Sequence, residues 1–562
     1  MSVRALWIQV GLLFAVLYLA LLWARPMITP DEARYGAMGA EMLASGDWLK
    51  LRMAGFTYYE KPPLGTWLIA SSIACFGHNA FAIRLPCALA ALTSALAAGM
   101  VARRATGRRE LGPLAAMVQL TTLLPFLLGT VLVLDPIFTA FTSLTLAWFL
   151  AACQSHGRAR AMWLLASGAA AGLGFMTKGL LAFAIPGVAA AAFLCWERRW
   201  KDLCTMPWLP MLGAVLAGGP LALLLHQSEP GFWNYFIVVE HLRRFAAPDI
   251  NQHPEPWWLL TVVLVGGSLF WLVHWPRVAM ALRASDGWRS GIRFCLTWIV
   301  PPLALLSLSK GKLPTYVLPL FPPVAVLVTM GLVRWREGVA QSRDAGTTIA
   351  VLAVRMLALG AFLLALFGHP VMGLPRLWLS PEAPRWVLLG IALLTWSMLE
   401  ASSHRATEAR SWLMRTAWIP VPGLLCMLLL LPDALLSPQK LPWDLLQRHA
   451  AALREAPHLV VSNANGHAIA WTTGRSDFLV AGAPSEFDNE LHIASEQARL
   501  VSSQALPSRV AEWLPQGPVA LVISTDQANA LAKRFGDQVR AIESDRDLTV
   551  LVLGRAEQTT AR

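Results

Sequence analysis

The sequence predicts an all-α polytopic membrane protein that ends in a small α/β domain. Three observations carry that expectation. Hydrophobic residues make up 56% of the chain, with a mean hydropathy of +0.52. Charged residues fall to 14%, against about 25% in a soluble chain. After about residue 432 the texture changes, and polar stretches begin to separate short apolar runs. Length alone, 562 residues, would suggest several soluble domains, but hydropathy overrides that prior.

A helix needs about 20 apolar residues to cross a bilayer. On that basis about thirteen spans are expected, near 6–24, 80–102, 111–129, 136–153, 161–177, 179–196, 208–226, 257–274, 292–308, 316–334, 347–368, 384–400 and 413–431. The first run, WIQVGLLFAVLYLALLW (7–23), is preceded only by Arg4 and reads as an uncleaved span. The segment PPLGTWLIASSIACFG (62–77) is short and led by prolines, so it reads as a partial or interfacial helix.

Charge fixes the orientation. With the N-terminus in the cytoplasm, the connections 103–110, 154–160, 197–207, 275–291, 335–346 and 401–412 lie inside, and each holds at least two arginines or lysines. RRATGRR (103–109), ERRWK (197–201) and RWREG (334–338) are examples. This is the bias of cytoplasmic loops. Counting 62–77 as a span would turn those loops outward. The net charge of +12 is therefore spread over short loops rather than gathered on one basic face, which argues against nucleic acid as a partner. Seven cysteines, at 75, 87, 153, 195, 204, 295 and 426, lie in or beside apolar segments without metal-type spacing. They read as small buried hydrophobes.

The domain division follows: 1–435 is a membrane domain with long outer loops at 25–79 and 227–256, and 436–562 is a soluble α/β domain outside the cytoplasm. In the latter, HLVVSN (458–463), DFLVAG (477–482) and PVALVIS (518–524) read as strands, and DQANALAKRFG (526–536) as an amphipathic helix.

The outer loops carry charges that are expensive at membrane depth. In DEARYGAMGAEMLASGDW the apolar spacing fits a helix lying on the membrane surface. Asp31 and Glu32 open it, and Asp31 is either its cap or a chemical group. Glu60 and Lys61, in YYEKPP, are a surface ion pair or part of a site. Asp135 lies in the apolar turn GTVLVLDPIF, where capping the helix at Pro136 is the plainer alternative. The chain has only eight lysines among its 46 cations, and four of them, Lys61, Lys178, Lys310 and Lys312, fall at outer boundaries. Snorkelling would serve arginine equally well, whereas compact ammonium groups beside glycines, in MTKG and SKGK, suit a phosphate headgroup. In VVEHLRRF, His241 stands with Glu240, Arg243 and Arg244. That is either a solvated helix face or, with Glu60, an N/O metal site. The helix middles are nearly free of charge. Transporters bury ionisable groups there, so the pattern favours an enzyme acting on a lipid-linked phosphate over a transporter.

Taken in order, PDEARY, GDW (46–48), YYEKPP, the LDP turn (134–136), MTKG, VEHLRRF and SKGKLPTY resemble the GT-C class of polyprenyl-phosphate-dependent glycosyltransferases. Within that class the resemblance is to the bacterial lipid A 4-amino-4-deoxy-L-arabinose transferases of the ArnT type, relatives of the protein O-mannosyltransferases. It spans the membrane part and includes a periplasmic C-terminal domain, where SEFDNE (485–490) is similar to the family's tail. The resemblance implies a multi-pass inner-membrane enzyme with its site and C-terminus in the periplasm. It implies an inverting transfer of the aminosugar from undecaprenyl phosphate to a lipid A phosphate, an activity associated with polymyxin resistance. Carried onto this sequence, Asp31 is the catalytic carboxylate, Asp135 its second-loop partner, and Lys61 the ligand of the leaving phosphate. Lys178, Lys310, Lys312 and Arg243 are further candidates for the donor phosphate. Glu60 and His241 match a divalent-metal site, for zinc or magnesium, and no organic cofactor is implied. The alternatives are a related transferase with another polyprenyl-phosphate sugar or a protein or hopanoid acceptor, and, from a different class, a lipid-linked sugar transporter or a non-catalytic assembly protein. For a lipid A phosphate, already ionised, Asp31 would orient the acceptor, stabilise the sugar cation or bind its amino group. For a hydroxyl acceptor it would act as a base.

Overall fold

The computed structural model describes residues 2–243, 255–283, 286–339, 409–429, 441–482, 497–545 and 547–554, with isolated positions between 356 and 395. These form two compact units. The first comprises Met1–Arg25, Glu60–Gly65 and the described part of 84–432, and the second Pro26–Tyr59, Thr66–Ile83 and the described part of 433–562. Most of the first outer loop is thus grouped with the C-terminal segment.

The first unit is helical. Among the described residues six helices are long and apolar enough to cross a membrane: Val3–Leu21, Ala80–Thr106, Asp135–Cys153, Trp200–Ser228, Arg289–Leu308 and Pro314–Gly338. The run expected as one span at 111–129 is a bent pair, Leu111–Leu120 and Leu123–Gly129, meeting at 68°. The break falls at Thr121–Thr122, whose hydroxyls bond back to the carbonyls of Met117 and Val118 and so compete with the helical ladder. Leu181–Trp196 is a shorter apolar helix, as is Leu64–Phe76, whose 13 residues fall short of a bilayer's thickness. The spans expected at 347–368 and 384–400 lie outside the described residues, apart from isolated positions.

Where lipid replaces water, helices associate through close packing rather than hydrophobic burial. Helices Gly157–Lys178 and Trp208–Ser228 do so through small residues. A Cβ added at Gly172 would come within 2.9 Å of Ala214 Cα, and one at Gly218 within 2.9 Å of the Gly172 carbonyl.

In the second unit, helix Asp31–Ser45 ends at Gly46 in the left-handed conformation (φ 69°), the usual stop for a helix. A hairpin of β1 (Arg52–Met53) and β2 (Phe56–Thr57) follows. The C-terminal sheet contains β3 (His458–Ser462), β4 (Leu479–Ala481), β5 (Leu500–Val501), β6 (Val519–Ser524), β7 (Val539–Asp545) and β8 (Leu548–Leu553). Its order is β5-β4-β3-β6-β8-β7, parallel from β5 through β6 and antiparallel beyond. The strands expected at 458–463, 477–482 and 518–524 are present, and the expected helix is Thr525–Phe535. Central β6 and β8 are apolar and buried almost throughout, as strands covered on both faces must be. Edge strand β7, VRAIESD, alternates and carries charge, which discourages pairing with another chain.

Candidate functional site

In the first unit a cavity of about 270 Å³ gathers Lys61, Lys178, Glu240, His241 and Tyr316 against a wall of leucines. The polar groups arrive from four separate places in the chain. Lys61 precedes Pro62 and Pro63, whose fixed φ restricts the backbone that carries it. Glu240 and His241 lie on the π-helical segment Tyr235–Arg243. Lys178 is the last residue of helix Gly157–Lys178, and Tyr316 lies in the 3-10 segment Pro314–Leu320.

The charges are organised as two ion pairs. Lys61 Nζ donates to Glu240 Oε1 at 2.5 Å and to its neighbour's carbonyl, Glu60 O, at 2.9 Å. Those side chains are only 14% and 7% exposed. Lys178 pairs with Asp135, and its ammonium stands 4.8 Å from the centre of the Tyr316 ring. Asp135 is buried at the start of helix Asp135–Cys153 and makes no capping bond there, so pairing accounts for it better than capping does. An ammonium has three donors. Lys61 uses two on protein oxygens, which leaves one for a ligand entering the cavity.

His241 is fixed from both sides. Its Nδ1 lies 2.8 Å from Phe236 O, and its Nε2 accepts the Leu180 N–H at 3.3 Å. These bonds select the neutral tautomer with its proton on Nδ1. Gly179 makes the approach feasible: its φ is +91°, and an added Cβ would run into the imidazole of His241 and the ring of Phe236. That is the physical content of the glycine in MTKG. Nε2 of His241 is engaged by the Leu180 N–H, and among the described residues no group of three or more His, Cys, Asp or Glu gathers.

The remaining candidates lie elsewhere. Lys312 is buried and donates to Glu255 O at 2.8 Å, outside the cavity lining. Burial lowers its pKa, with the nearby Glu255 carboxylate opposing the shift. Lys310 is exposed, and its backbone carbonyl accepts the Glu255 N–H at 3.1 Å. Glu60 contributes its carbonyl to Lys61 but does not line the cavity. The side chain of Arg243, all of Arg244 and SEFDNE lie outside the described residues.

Asp31 belongs to the second unit. It is exposed, at the first position of helix Asp31–Ser45, which has Pro30 as its N-cap residue and no side-chain cap. Its neighbour ties the loop to the helix: buried Glu32 accepts the Ile28 N–H at 2.8 Å through Oε2. The acidic pair thus divides into one structural and one solvent-facing carboxylate. Sequence reasoning left two residues unassigned. Glu240 stands in the sequence only as one of several charges beside His241, and Tyr316 is not singled out there. The only available signals were VEH's position in a long outer loop and the scarcity of tyrosine, six in the whole chain.

Known proteins match this chain along most of its length. Residues 8–236 match the dolichyl-phosphate-mannose-protein mannosyltransferase family, and 437–552 match the arabinosyl transferase ArnT C-terminal domain. The chain is 34% identical over 530 residues to an undecaprenyl phosphate-α-4-amino-4-deoxy-L-arabinose arabinosyl transferase of Edwardsiella ictaluri, covering 92% of this chain and 93% of that one. It is 33% identical over 523 residues to the protein of the same name from Pseudomonas savastanoi pv. phaseolicola, covering 91% and 94%. The fold matches that of ArnT from Cupriavidus metallidurans, crystallised with undecaprenyl phosphate, at a TM-score of 0.81 and 20% identity over 98% of each chain. Identity at this level along nine-tenths of both sequences shows that the chain belongs to the undecaprenyl phosphate-aminoarabinose arabinosyl transferase family, within the GT-C class of glycosyltransferases.

Proposed function

We propose that the chain is an inverting glycosyltransferase that moves 4-amino-4-deoxy-L-arabinose from undecaprenyl phosphate to a lipid A phosphate, at the periplasmic face of the inner membrane. One observation carries the reading: a cavity with ammonium groups set against apolar walls, in a chain whose relatives are named for this lipid-linked sugar. A phosphate headgroup on a polyprenyl chain needs both features.

In the reaction the bond between sugar C1 and the donor's phosphate oxygen breaks, and its electron pair leaves with undecaprenyl phosphate. A lipid A phosphate oxygen bonds to C1 from the opposite face, so nothing is oxidised or reduced. The sugar passes through an oxocarbenium-like state while negative charge grows on the leaving phosphate. Lys61 is proposed to take up that charge through its third N–H, with Lys178 beside it, where water is scarce and a fixed charge acts strongly. Asp135 holds the Lys178 ammonium in place, and exposed Lys310 adds longer-range attraction for the anion. Asp31 is the proposed catalytic carboxylate, orienting the acceptor, stabilising the sugar cation or binding its amino group.

The match to the mannosyltransferase family over 8–236 favours a hydroxyl acceptor as the second reading, with Asp31 then serving as a general base. Mass spectrometry of lipid A from cells with and without the chain separates the two. Gain of one aminopentose per modified phosphate is expected. Unmodified lipid A alongside a newly glycosylated protein would establish the second reading instead.

A further inference from the structure

We propose that the C-terminal α/β domain acts in the transfer reaction by positioning the helix that carries Asp31, and that Trp471 is the positioning residue. The inference rests on the role given to Asp31 above and adds a task for a domain that holds none of the proposed reacting groups.

The observations lie within the second unit. Helix Asp31–Ser45 packs against helix Gly466–Thr473 of the C-terminal domain. The closest approach is at Gly36, where an added Cβ would stand 3.2 Å from both Cε3 and Cζ3 of Trp471. No larger residue fits there without moving the indole or the helix. The indole is itself held: His78 stacks on it with ring centres 3.5 Å apart and planes inclined by 19°. His78 Nε2 also lies 3.1 Å from the Trp471 carbonyl. One turn along, His467 is fully buried, and burial first, then the Arg34 guanidinium, disfavours its protonation.

Three further ties join the N-terminal loop to the same domain. Trp443 Nε1 donates to Met27 O, just ahead of the acidic pair. Arg499 donates to Ala54 O at 3.2 Å and to Ser476 O at 2.6 Å. Its guanidinium also lies 3.6 Å from the centre of the Phe56 ring. Asp31 is five residues from Gly36 on a continuous helix, so any shift of the contact is carried to the carboxylate as a rigid displacement. Reacting groups tolerate little of that, and a misplacement of about 1 Å costs on the order of a hundredfold in rate. Helix Asp31–Ser45 is thus seated, at Gly36, against a ring that belongs to another part of the chain.

The test uses the full-length protein in liposomes with a synthetic undecaprenyl-phosphate aminosugar and lipid A. Trp471→Ala is expected to lower kcat about tenfold or more while the donor KM stays within about twofold, and Trp471→Phe to restore most of the rate. Gly36→Ala should be impaired alone and improved by Trp471→Leu in the double variant, because the shorter side chain makes room for the new methyl group. Trp513→Ala, which disturbs the His458–Trp513 stack elsewhere in the same domain, serves as the control and should leave kcat unchanged. A wild-type kcat in folded Trp471→Ala would overturn the proposal. So would an equal loss in Trp513→Ala, which would leave the domain as a stability element only. Failure of the wild-type protein to transfer the sugar would instead overturn the functional reading on which the proposal rests.

Discussion

Replacing Lys61 probes both chemistry and stability, and the geometry shows how to separate the two. Lys61→Ala alone takes the ammonium away from a Glu240 carboxylate that is only 7% exposed. Breaking one side of a buried ion pair costs about 3–5 kcal/mol, and the partial exposure of Lys61 puts this pair near the lower end. The single variant should therefore be visibly less stable, and a drop in activity would say little. Lys61→Ala combined with Glu240→Gln removes both charges of the pair, so most of that stability should return. The catalytic loss should not return. A charge-assisted contact to the leaving phosphate contributes about 1.5–3 kcal/mol, or roughly ten- to a hundredfold in rate. Thermal unfolding in detergent, paired with kinetics on a synthetic donor, reads both quantities. Lys61→Arg should rescue only part of the rate, because a planar fork cannot replace a compact charge. A double variant with the wild-type kcat would refute the phosphate assignment and leave Lys61 as the partner of Glu240 alone.

Asp31→Asn should abolish transfer with unfolding unchanged, because the carboxylate is exposed and makes no capping bond; full activity in the purified variant would remove Asp31 from the mechanism. Stability should fall on acidification below about pH 6.5, the ordinary histidine value. Burial and Arg34 hold His467 well below that value, so protons bind the unfolded chain first, at up to about 1.4 kcal/mol per pH unit. Unfolding measured from neutral to mildly acidic pH should show this slope and lose part of it in His467→Gln; an identical slope in the variant would contradict the assignment. An alkaline phosphatase fusion after Arg562 should be active and a green fluorescent fusion dark, and the reverse pattern would mean that 62–77 crosses the membrane.

The features legible in the sequence are those with a local physical cause. Apolar runs and arginine-rich connections announced the membrane helices, and alternation announced strands such as VALVIS. Lys61, Lys178 and His241 could be singled out because charges at an apolar boundary need a reason. Pairing was not legible. Nothing in YYEKPP says that Lys61 meets Glu240, 179 residues away, and SKGK does not say that Lys312 turns to a backbone carbonyl. The bend at Thr121–Thr122 escaped notice because the hydropathy of 111–129 is continuous across it. The grouping of PDEARY with the C-terminal domain escaped for a related reason. Gly36 signals a close approach, but its partner, Trp471, lies more than 400 residues away.

The central claim is that this chain transfers the aminosugar from undecaprenyl phosphate to lipid A, with Lys61 and Asp31 in the reaction. The most direct measurement uses purified protein in liposomes with the synthetic donor and lipid A, following both products by mass spectrometry. The account predicts release of one undecaprenyl phosphate for each aminopentose gained by lipid A, and neither product with Asp31→Asn. Donor consumed without a gain in lipid A, or equal turnover by the Asn variant, would contradict it.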